Sequence, residues 1–176
     1  QLGREMGFSL NVVEPLLDDH GHTIRSTAVR EALASGDVAE VGDLLGRHFA
    51  LTGLVVKGAG RGAQLGFPTA NLRVPEDIAL PRDGIYATWA GLGDRRFMAA
   101  TSVGVRPTFA EVDRTVEAYL LEFDEDIYGR EVRLEFVERL RDEEKYNSVE
   151  ELQAQVKLDV AETKRVLRTA QARESA

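Results

Sequence analysis

Apolar and polar residues alternate along the middle of the chain, the pattern that half-buried β-strands produce. The predicted strands are 50–57, 84–91, 96–103, 116–123 and 131–138, with a short extended piece near 67–72. Gly93-Asp94 and Tyr128-Gly129 are turn sequences, so we predict antiparallel hairpins around each of them. Strands with short connections and few intervening helices favour a barrel or a sandwich.

The part of the chain before these strands has helical spacing instead. Val29 and Leu33 fit one helix face, Ser26 or Thr27 is a candidate N-cap, and Gly36 is suited to end the helix.

A second short helix is predicted directly afterwards. Asp37 and Glu40 form a capping-box pattern at its start, and Gly46 ends it. A weak alternation over 8–13 predicts one strand further upstream. One strand and two short helices cannot close a core, so we expect this region to belong to a larger domain. Without a partner it would expose three apolar side chains, Leu33, Val41 and Leu44.

The last predicted element is a long helix. Ser148 and Glu151 have capping-box spacing, and apolar residues follow at helical intervals: Val149, Leu152, Val156, Val160 and Leu167. Basic residues fall on the other face, where we interpret them as a solvated surface: Lys157, Lys164, Arg165 and Arg168.

Composition narrows the classes of partner. The chain of 176 residues has a net charge of −8, which argues against a nucleic-acid binder. We expect no membrane partner, because no apolar run approaches the length of a membrane span. The sequence has no cysteine, which excludes disulfides and thiolate metal sites and favours a cytoplasmic location.

The most informative segment is rich in glycine. Four glycines fall between Gly58 and Gly66, and such a backbone can turn several N–H groups towards one phosphate. A flexible hairpin tip is the alternative. The segment is neither a dinucleotide-binding fingerprint, since Gly66 and Pro68 would break the required helix, nor a Walker A loop, since no Gly-Lys-Ser/Thr follows.

Two polar residues follow a stiffened exit from this segment. Pro68 biases Phe67 towards an extended conformation, so Thr69 and Asn71 project to one face. A hydroxyl and an amide oxygen suit Mg²⁺ that already carries phosphate oxygens and waters. Taken singly, each is equally an ordinary turn residue.

An acid interrupts an otherwise apolar strand. Glu117 lies between Val116 and Ala118, on the same face as Tyr119 and Leu121. A buried carboxylate there needs a partner. It is therefore either a functional group or one half of an edge-strand salt bridge.

From these motifs the chain resembles the riboflavin kinases, including the kinase part of bacterial bifunctional FAD synthetases. The similarity rests first on Gly-Arg-Gly-x-x-Leu-Gly-Phe-Pro-Thr-Ala-Asn-Leu over 60–72, which is similar to their nucleotide-binding signature. The resemblance extends from about 49 to 167. Within it, five further segments match in the family's order: 83–86, 102–109, 116–120, 126–129 and 140–146.

The resemblance implies a compact, Greek-key-like antiparallel β-barrel with a C-terminal helix, and phosphorylation of riboflavin by ATP with Mg²⁺. It implies Glu117 as the catalytic base and Thr69 with Asn71 as the metal ligands. The implied ATP-binding residues are Gly58, Gly60, Arg61, Gly62, Gly66, Phe67, Pro68 and Thr69. Candidates for the flavin side, by position only, are Arg141, Glu143 and Tyr146; Tyr146 fits equally well as an anchor of the last helix.

The first 48 residues resemble the end of an FMN adenylyltransferase domain, an α/β nucleotidyltransferase. Their Ile24-Arg25-Ser26-Thr27-Ala28-Val29-Arg30 is similar to that family's Ser-Thr motif, and residues 44–49 are similar to the junction. The expected His-x-x-His motif is absent, and His20-Gly21-His22 has the wrong spacing to replace it. We therefore expect a domain remnant over 1–48, a kinase domain over 49–176, and no adenylylation by this chain alone.

Two alternatives to the kinase remain open at this point. One is FMN adenylyl transfer by the full-length protein, and the other is a barrel that binds flavin or nucleotide without turnover.

Overall fold

The chain folds into a closed barrel of six antiparallel strands with helices at both ends. The structure is a computed structural model that describes residues 23–58, 60–107 and 112–174, together with positions 6, 7, 9, 14, 16 and 17. Its strands are β1 (Phe49–Val56), β2 (Ala70–Arg73), β3 (Gly84–Leu92), β4 (Arg95–Pro107), β5 (Val112–Leu120) and β6 (Glu131–Arg141). All six overlap predicted extended segments, although β4 extends to Pro107 and β5 begins four residues earlier than predicted, and the expectation of a barrel is confirmed.

The strands follow a Greek-key order. Around the barrel they run β1-β2-β5-β4-β3-β6, so β6 returns to lie beside β3 after the consecutive strands β3, β4 and β5. The turn at Gly93-Asp94 joins β3 to β4 as predicted, and Gly93 has a φ of 60°.

The second predicted hairpin is wrong. Tyr128-Gly129 does reverse the chain, but β6 pairs with β1 and β3 and not with β5. The Gly129 N–H donates to the Val55 carbonyl at 2.9 Å, which directs the chain across the barrel end towards β1. Turn sequences specify a local reversal, whereas strand partners depend on the whole sheet.

Every strand sends alternate residues into an apolar interior. Tyr86 and Phe136 are the largest side chains there, both fully buried, with ring centroids 5.2 Å apart in an edge-to-face arrangement. Thr88 and Thr101 are the buried polar exceptions, and their hydroxyls satisfy each other at 2.7 Å. The interior is therefore a packed core and not a ligand cavity.

Two helices precede the barrel, α1 (Ser26–Ser35) and α2 (Val38–Leu45). The predicted cap of α2 is confirmed, because Asp37 accepts from the Glu40 N–H at 3.0 Å. The predicted cap of α1 is wrong: Arg25 is the N-cap and makes no side-chain cap bond, so Ser26 and Thr27 lie inside the helix.

These helices share their core with the barrel. Leu33 is 4% exposed and Val41 is fully buried, against our expectation that they would lack a partner. Gly36 ends α1 with a φ of 87°, and its missing side chain lets Arg139 of β6 lie against the helix end. The packing between helix and barrel could not be read from local spacing.

A one-turn helix, α3 (Arg61–Gln64), lies within the glycine-rich segment. The long helix α4 (Val149–Glu174) follows β6. Ser148 accepts from the Glu151 N–H at 3.1 Å, so the predicted cap is confirmed. The Glu151 carboxylate accepts from the Asn147 N–H at 3.0 Å, one residue before the N–H that a capping box uses. Val149 is half exposed, because it precedes the first contact of α4 with the barrel.

Helix α4 covers the outer surface of β3, β4 and β6. A second hydrophobic cluster forms there from Ala87, Trp89, Val137, Val166 and Leu167. Trp89 is thus part of a core. Most of the predicted strand over 8–13, and His20 to His22, fall outside the described residues. Among the helices that are described, none combines the length and apolar character needed to cross a membrane.

Candidate functional site

One row of residues on the outer face of the barrel holds most of the candidate chemistry. Five side chains lie opposite one another on neighbouring strands, and we call them the outer row: Asn71 (β2), Glu117 (β5), Ser102 (β4), Ile85 (β3) and Arg141 (β6). Both chain neighbours of Asn71, Glu117 and Ser102 are buried in the barrel, so strand alternation places these three side chains outside. Ile85 and Arg141 continue the row through their pairing. Paired residues on one face lie about 5 Å apart at Cβ, which brings these side chains within mutual reach.

The candidate base and the two candidate metal ligands meet at one end of this row. Glu117 lies directly across from Asn71, and the Thr69 hydroxyl donates to the Glu117 carboxylate at 3.3 Å. Glu117 is half-buried and not fully buried as expected, because it lies on the outer face. A hydroxyl that donates its proton to Glu117 keeps its lone pairs for a cation.

The glycine-rich segment packs directly against the two candidate metal ligands. A side chain at Gly58 would overlap the amide of Asn71, and a Cβ at Gly62 would lie 3.3 Å from the Thr69 hydroxyl oxygen. Gly60 has a φ of 70°, which an L side chain rarely adopts. The predicted phosphate-binding backbone and the predicted metal ligands are therefore adjacent, which sequence spacing alone could not establish.

A cavity of about 740 Å³ joins these parts. Eleven of the predicted site residues line it: Gly58, Gly60, Gly62, Phe67, Pro68, Thr69, Asn71, Glu117, Arg141, Glu143 and Tyr146. Gly66 does not line it; this residue closes a turn with a φ of 84°, and its N–H donates to the Ala63 carbonyl at 3.1 Å. For Arg61 only the backbone is described.

An aromatic pair forms part of the cavity wall. Phe67 meets Tyr119 edge to face with ring centroids 5.5 Å apart. Tyr119 is two residues from Glu117 on the outer face of β5, so this contact joins the end of the glycine-rich segment to the strand that carries the acid.

Arg141, at the far end of the outer row, has an ion-pair partner. Its Nε and Nη2 donate to the two carboxylate oxygens of Asp159 at 2.8 and 2.7 Å, and its Nη1 donates to the Asp142 carbonyl at 2.8 Å. The hydrogen bonds that Arg141 donates to Asp159 raise the pKa of Arg141 further above its usual value, despite partial burial. This guanidinium is held in place by α4, to which Asp159 belongs.

Glu143 reaches back over strand β4. Its carboxylate accepts from the Ser102 hydroxyl at 2.8 Å and lies over Gly104, where a Cβ would overlap it. Ser102 stands opposite Glu117, so two carboxylates flank one serine in the outer row.

Tyr146 lies at the cavity edge and is half-buried. Its hydroxyl donates to the Glu144 carboxylate at 3.3 Å, and burial raises the pKa of the phenol. Both interpretations of Tyr146, as a flavin contact or as an anchor of α4, are compatible with this position.

Several lining residues escaped sequence reasoning: Ser102, Tyr128, Leu152, Val156 and Asp159. The last three recur at helical spacing along α4, and an acid within that apolar stripe was a usable signal. Ser102 had no comparable signal, because its place depends on the register between β4 and β5.

A metal ion at this site would need further oxygen ligands from a bound phosphate. Among the residues that the structure describes, no three His, Cys, Asp or Glu side chains form a cluster that could hold an ion. Thr69 and Asn71 supply neutral oxygens beside the Glu117 carboxylate, a donor set that suits a hard cation bringing phosphate oxygens with it.

A second cavity, of about 1020 Å³, lies between α2, the β3–β4 turn and the end of α4. It contains none of the predicted site residues. Four of its arginines pair with acids; Arg96, for example, binds Glu135 at 3.0 Å and Arg95 binds Glu125 at 2.6 Å. The smaller cavity is therefore the candidate site.

Comparison with known proteins identifies the family of the chain. The family model described as "Flavokinase: Riboflavin kinase" matches residues 45–167. A bifunctional riboflavin kinase/FMN adenylyltransferase of Escherichia coli (strain K12) is 37% identical over 158 residues, which are 89% of this chain and 50% of that protein. The chain thus spans about half the length of the curated relatives it matches.

Two solved structures are similar. A crystal structure from Streptococcus pneumoniae, described as a macrolide-efflux protein, is 35% identical with a TM-score of 0.82, and the match covers 93% of this chain and 53% of that one. The riboflavin kinase of Trypanosoma brucei is 29% identical with a TM-score of 0.55, over 71% of this chain and 83% of its own.

Proposed function

The chain belongs to the riboflavin kinase family, and from this premise we propose that it transfers the γ-phosphate of ATP to the ribityl 5′-hydroxyl of riboflavin. The products are FMN and ADP. We assign this activity to residues 49–176, which hold the whole cavity.

One observation carries the proposal. The glycine-rich backbone, the Thr69–Asn71 pair and the Glu117 carboxylate lie together at one end of the outer row. Phosphoryl transfer needs a held phosphate, a neutralising cation and a group that orients the attacking hydroxyl, and little covalent chemistry from the protein. This arrangement offers all three within one cavity.

Glu117 is proposed as the group that acts on the acceptor. Its carboxylate accepts the proton of the ribityl hydroxyl while that oxygen bonds to the γ-phosphorus. The bond from phosphorus to the β,γ-bridging oxygen breaks, and ADP leaves with that oxygen. The hydrogen bond from Thr69 holds the carboxylate towards the glycine-rich segment, where the phosphate would lie.

The nucleotide side is proposed to bind through backbone groups. N–H groups between Gly58 and Gly62 would contact the phosphates, and Phe67, Pro68 and Thr69 would line the path of ATP. Thr69 and Asn71 would hold Mg²⁺. When bound, this ion neutralises phosphate charge and orients the γ-phosphate. Asn71 lies so close to Gly58, and Thr69 to Gly62, that a Cβ at either glycine would crowd the ligand, which supports this part.

The acceptor side is proposed to use Arg141, Glu143 and Tyr146. All three line the same cavity. The two charged ones already have hydrogen-bond partners, since Arg141 is bound to Asp159 and Glu143 to Ser102. Tyr146 remains the candidate for contact with the isoalloxazine ring, because it presents an aromatic surface at the cavity edge.

The names of the curated relatives raise a second activity, FMN adenylylation, for a longer protein. The test is to incubate the chain with riboflavin and MgATP, and separately with FMN and MgATP, and to separate the flavins by chromatography. The kinase predicts FMN in the first reaction and unchanged FMN in the second. FAD in the second reaction would support the transferase instead, and bound but unconverted riboflavin would indicate a binding protein.

A further inference from the structure

Helix α4 contacts both sides of the cavity through polar side chains. Near its start, the Gln153 Nε2 donates to the Leu65 carbonyl of the glycine-rich segment at 3.1 Å. Two turns later, Asp159 binds Arg141 at the end of β6. Six residues separate the two contacts, which is about 9 Å along a helix axis.

The contact at Leu65 fixes a turn that leads to the candidate metal ligands. Within this turn the N–H groups of Leu65 and Phe67 both donate to the Gly62 carbonyl, at 3.1 and 2.9 Å. Gly62 in turn lies beside the Thr69 hydroxyl. Among the described contacts, the bond from Gln153 is the one that ties the turn to α4 by a side chain, and it spans 88 positions of the chain.

The contact at Asp159 is stronger than the contact at Gln153. Asp159 is 7% exposed, both of its oxygens accept from Arg141, and Gln155 donates to it at 3.0 Å. Charged bidentate pairs of this kind hold geometry firmly. The strong contact anchors α4 to the barrel, so the weaker contact at Gln153 transmits that anchoring to the glycine-rich segment.

We propose that Gln153 is a positioning residue for the nucleotide: by holding the Leu65 carbonyl, it keeps the glycine-rich segment in the position that binds the nucleotide phosphates. The proposal rests on the proposed function of the cavity. It assigns different substrates to two residues of one helix. Gln153 affects binding of the nucleotide, and Asp159 affects binding of the acceptor through Arg141.

Three variants separate the hydrogen bond from packing. Gln153→Glu keeps the size but cannot donate to the carbonyl, whereas Gln153→Lys keeps a donor. Lys157→Ala, on the exposed side of the same helix, is the matched control. Affinity for MgADP is measured by calorimetry, and KM for MgATP, KM for riboflavin, kcat and Tm are measured on the same preparations.

We expect Gln153→Glu to weaken MgADP binding and to raise KM for MgATP by roughly fivefold, the size of one net hydrogen bond. KM for riboflavin, kcat and Tm stay close to those of the unmodified chain, and Gln153→Lys and Lys157→Ala stay within about twofold throughout. Asp159→Asn should show the reverse split, with KM for riboflavin raised.

Equal MgADP affinity in Gln153→Glu and the unmodified chain would overturn the inference, as would a parallel rise of both KM values with a loss of Tm. The binding measurement also separates this inference from the proposed function. A chain that binds MgADP but makes no FMN contradicts the kinase, yet weaker MgADP binding by Gln153→Glu would still support the role of Gln153.

Discussion

The two faces of strand β5 differ in what their residues do. Val116, Ala118 and Leu120 point inward and are at most 4% exposed, whereas Glu117 and Tyr119 point outward and line the cavity. The strand's period of two places packing and chemistry on alternate residues of one backbone. We infer that the two properties can be changed separately, although the residues concerned are neighbours in sequence.

The two faces also differ in how they are covered. The inner face is closed by the barrel itself, through hydrophobic contacts between all six strands. The outer row is covered by pieces from elsewhere, namely the glycine-rich segment and α4. Substitution of inner residues should therefore lower folding stability, whereas substitution of outer residues should change KM or kcat.

The strongest test of this separation is Glu117→Gln. The amide keeps the shape and can still accept from Thr69, but it cannot take the proton of the acceptor. We expect kcat for FMN formation to fall by at least about 100-fold, the range of general base catalysis. The measurement is steady-state FMN production, with Tm recorded on the same sample.

Tm of this variant should stay within a few degrees of the unmodified protein. Near-normal turnover would remove Glu117 as the base. A folding defect as large as that of a core variant would break the separation between the two faces.

Phe136→Ala tests the inner face. Phe136 is fully buried and contacts Tyr86 at 5.2 Å and Phe49 at 5.7 Å between ring centroids. Removing such a ring leaves a cavity and costs about 3 to 5 kcal/mol of the free energy of unfolding. Urea denaturation measures this loss directly.

The fraction that remains folded should keep its KM values for both substrates. A raised KM with unchanged stability would mean that the inner face reaches the site.

The strand pattern made most of the barrel predictable. Alternation located all six strands, and turn chemistry found the Gly93 hairpin. The partner of β6 was missed, because Tyr128-Gly129 reports only a reversal and the choice of β1 and β3 is made by the closed sheet. The burial of Leu33 and Val41 was missed for the same reason, since it depends on contacts distant in sequence.

The site divides in the same way. Thr69, Asn71 and Glu117 were predicted from a motif and from one acid in an apolar strand. Their juxtaposition needed the β2–β5 register, which places Asn71 opposite Glu117. Asp159 and Gln153 were missed, because a helix pattern shows which residues share a face but not what lies against that face.

Thr69→Ala is a milder test of the outer side. It removes one proposed metal ligand and the hydrogen bond to Glu117. We expect the Mg²⁺ concentration needed for half-maximal rate to rise by about tenfold, the worth of one or two net hydrogen bonds. Thr69→Ser keeps the hydroxyl and should restore the Mg²⁺ dependence; an unchanged dependence in Thr69→Ala would count against the ligand role.

The smallest expected effect comes from Gly104→Ala, which places a methyl group where the Glu143 carboxylate lies. The carboxylate is the end of a flexible side chain, so it should move away and lose its bond to Ser102, with little cost to folding. We expect KM for riboflavin to rise by about threefold, less than one net hydrogen bond is worth, while KM for MgATP stays unchanged.

Gly91→Ala is the matched control, because Gly91 is a strand residue that does not line the candidate site. Its new Cβ would lie 3.6 Å from the Arg133 carbonyl oxygen, which is an ordinary contact. If both alanine variants behave alike, Glu143 has no part in binding the acceptor. If only Gly104→Ala loses riboflavin affinity, the bond between Ser102 and Glu143 links the outer row to acceptor binding by the loop that follows β6.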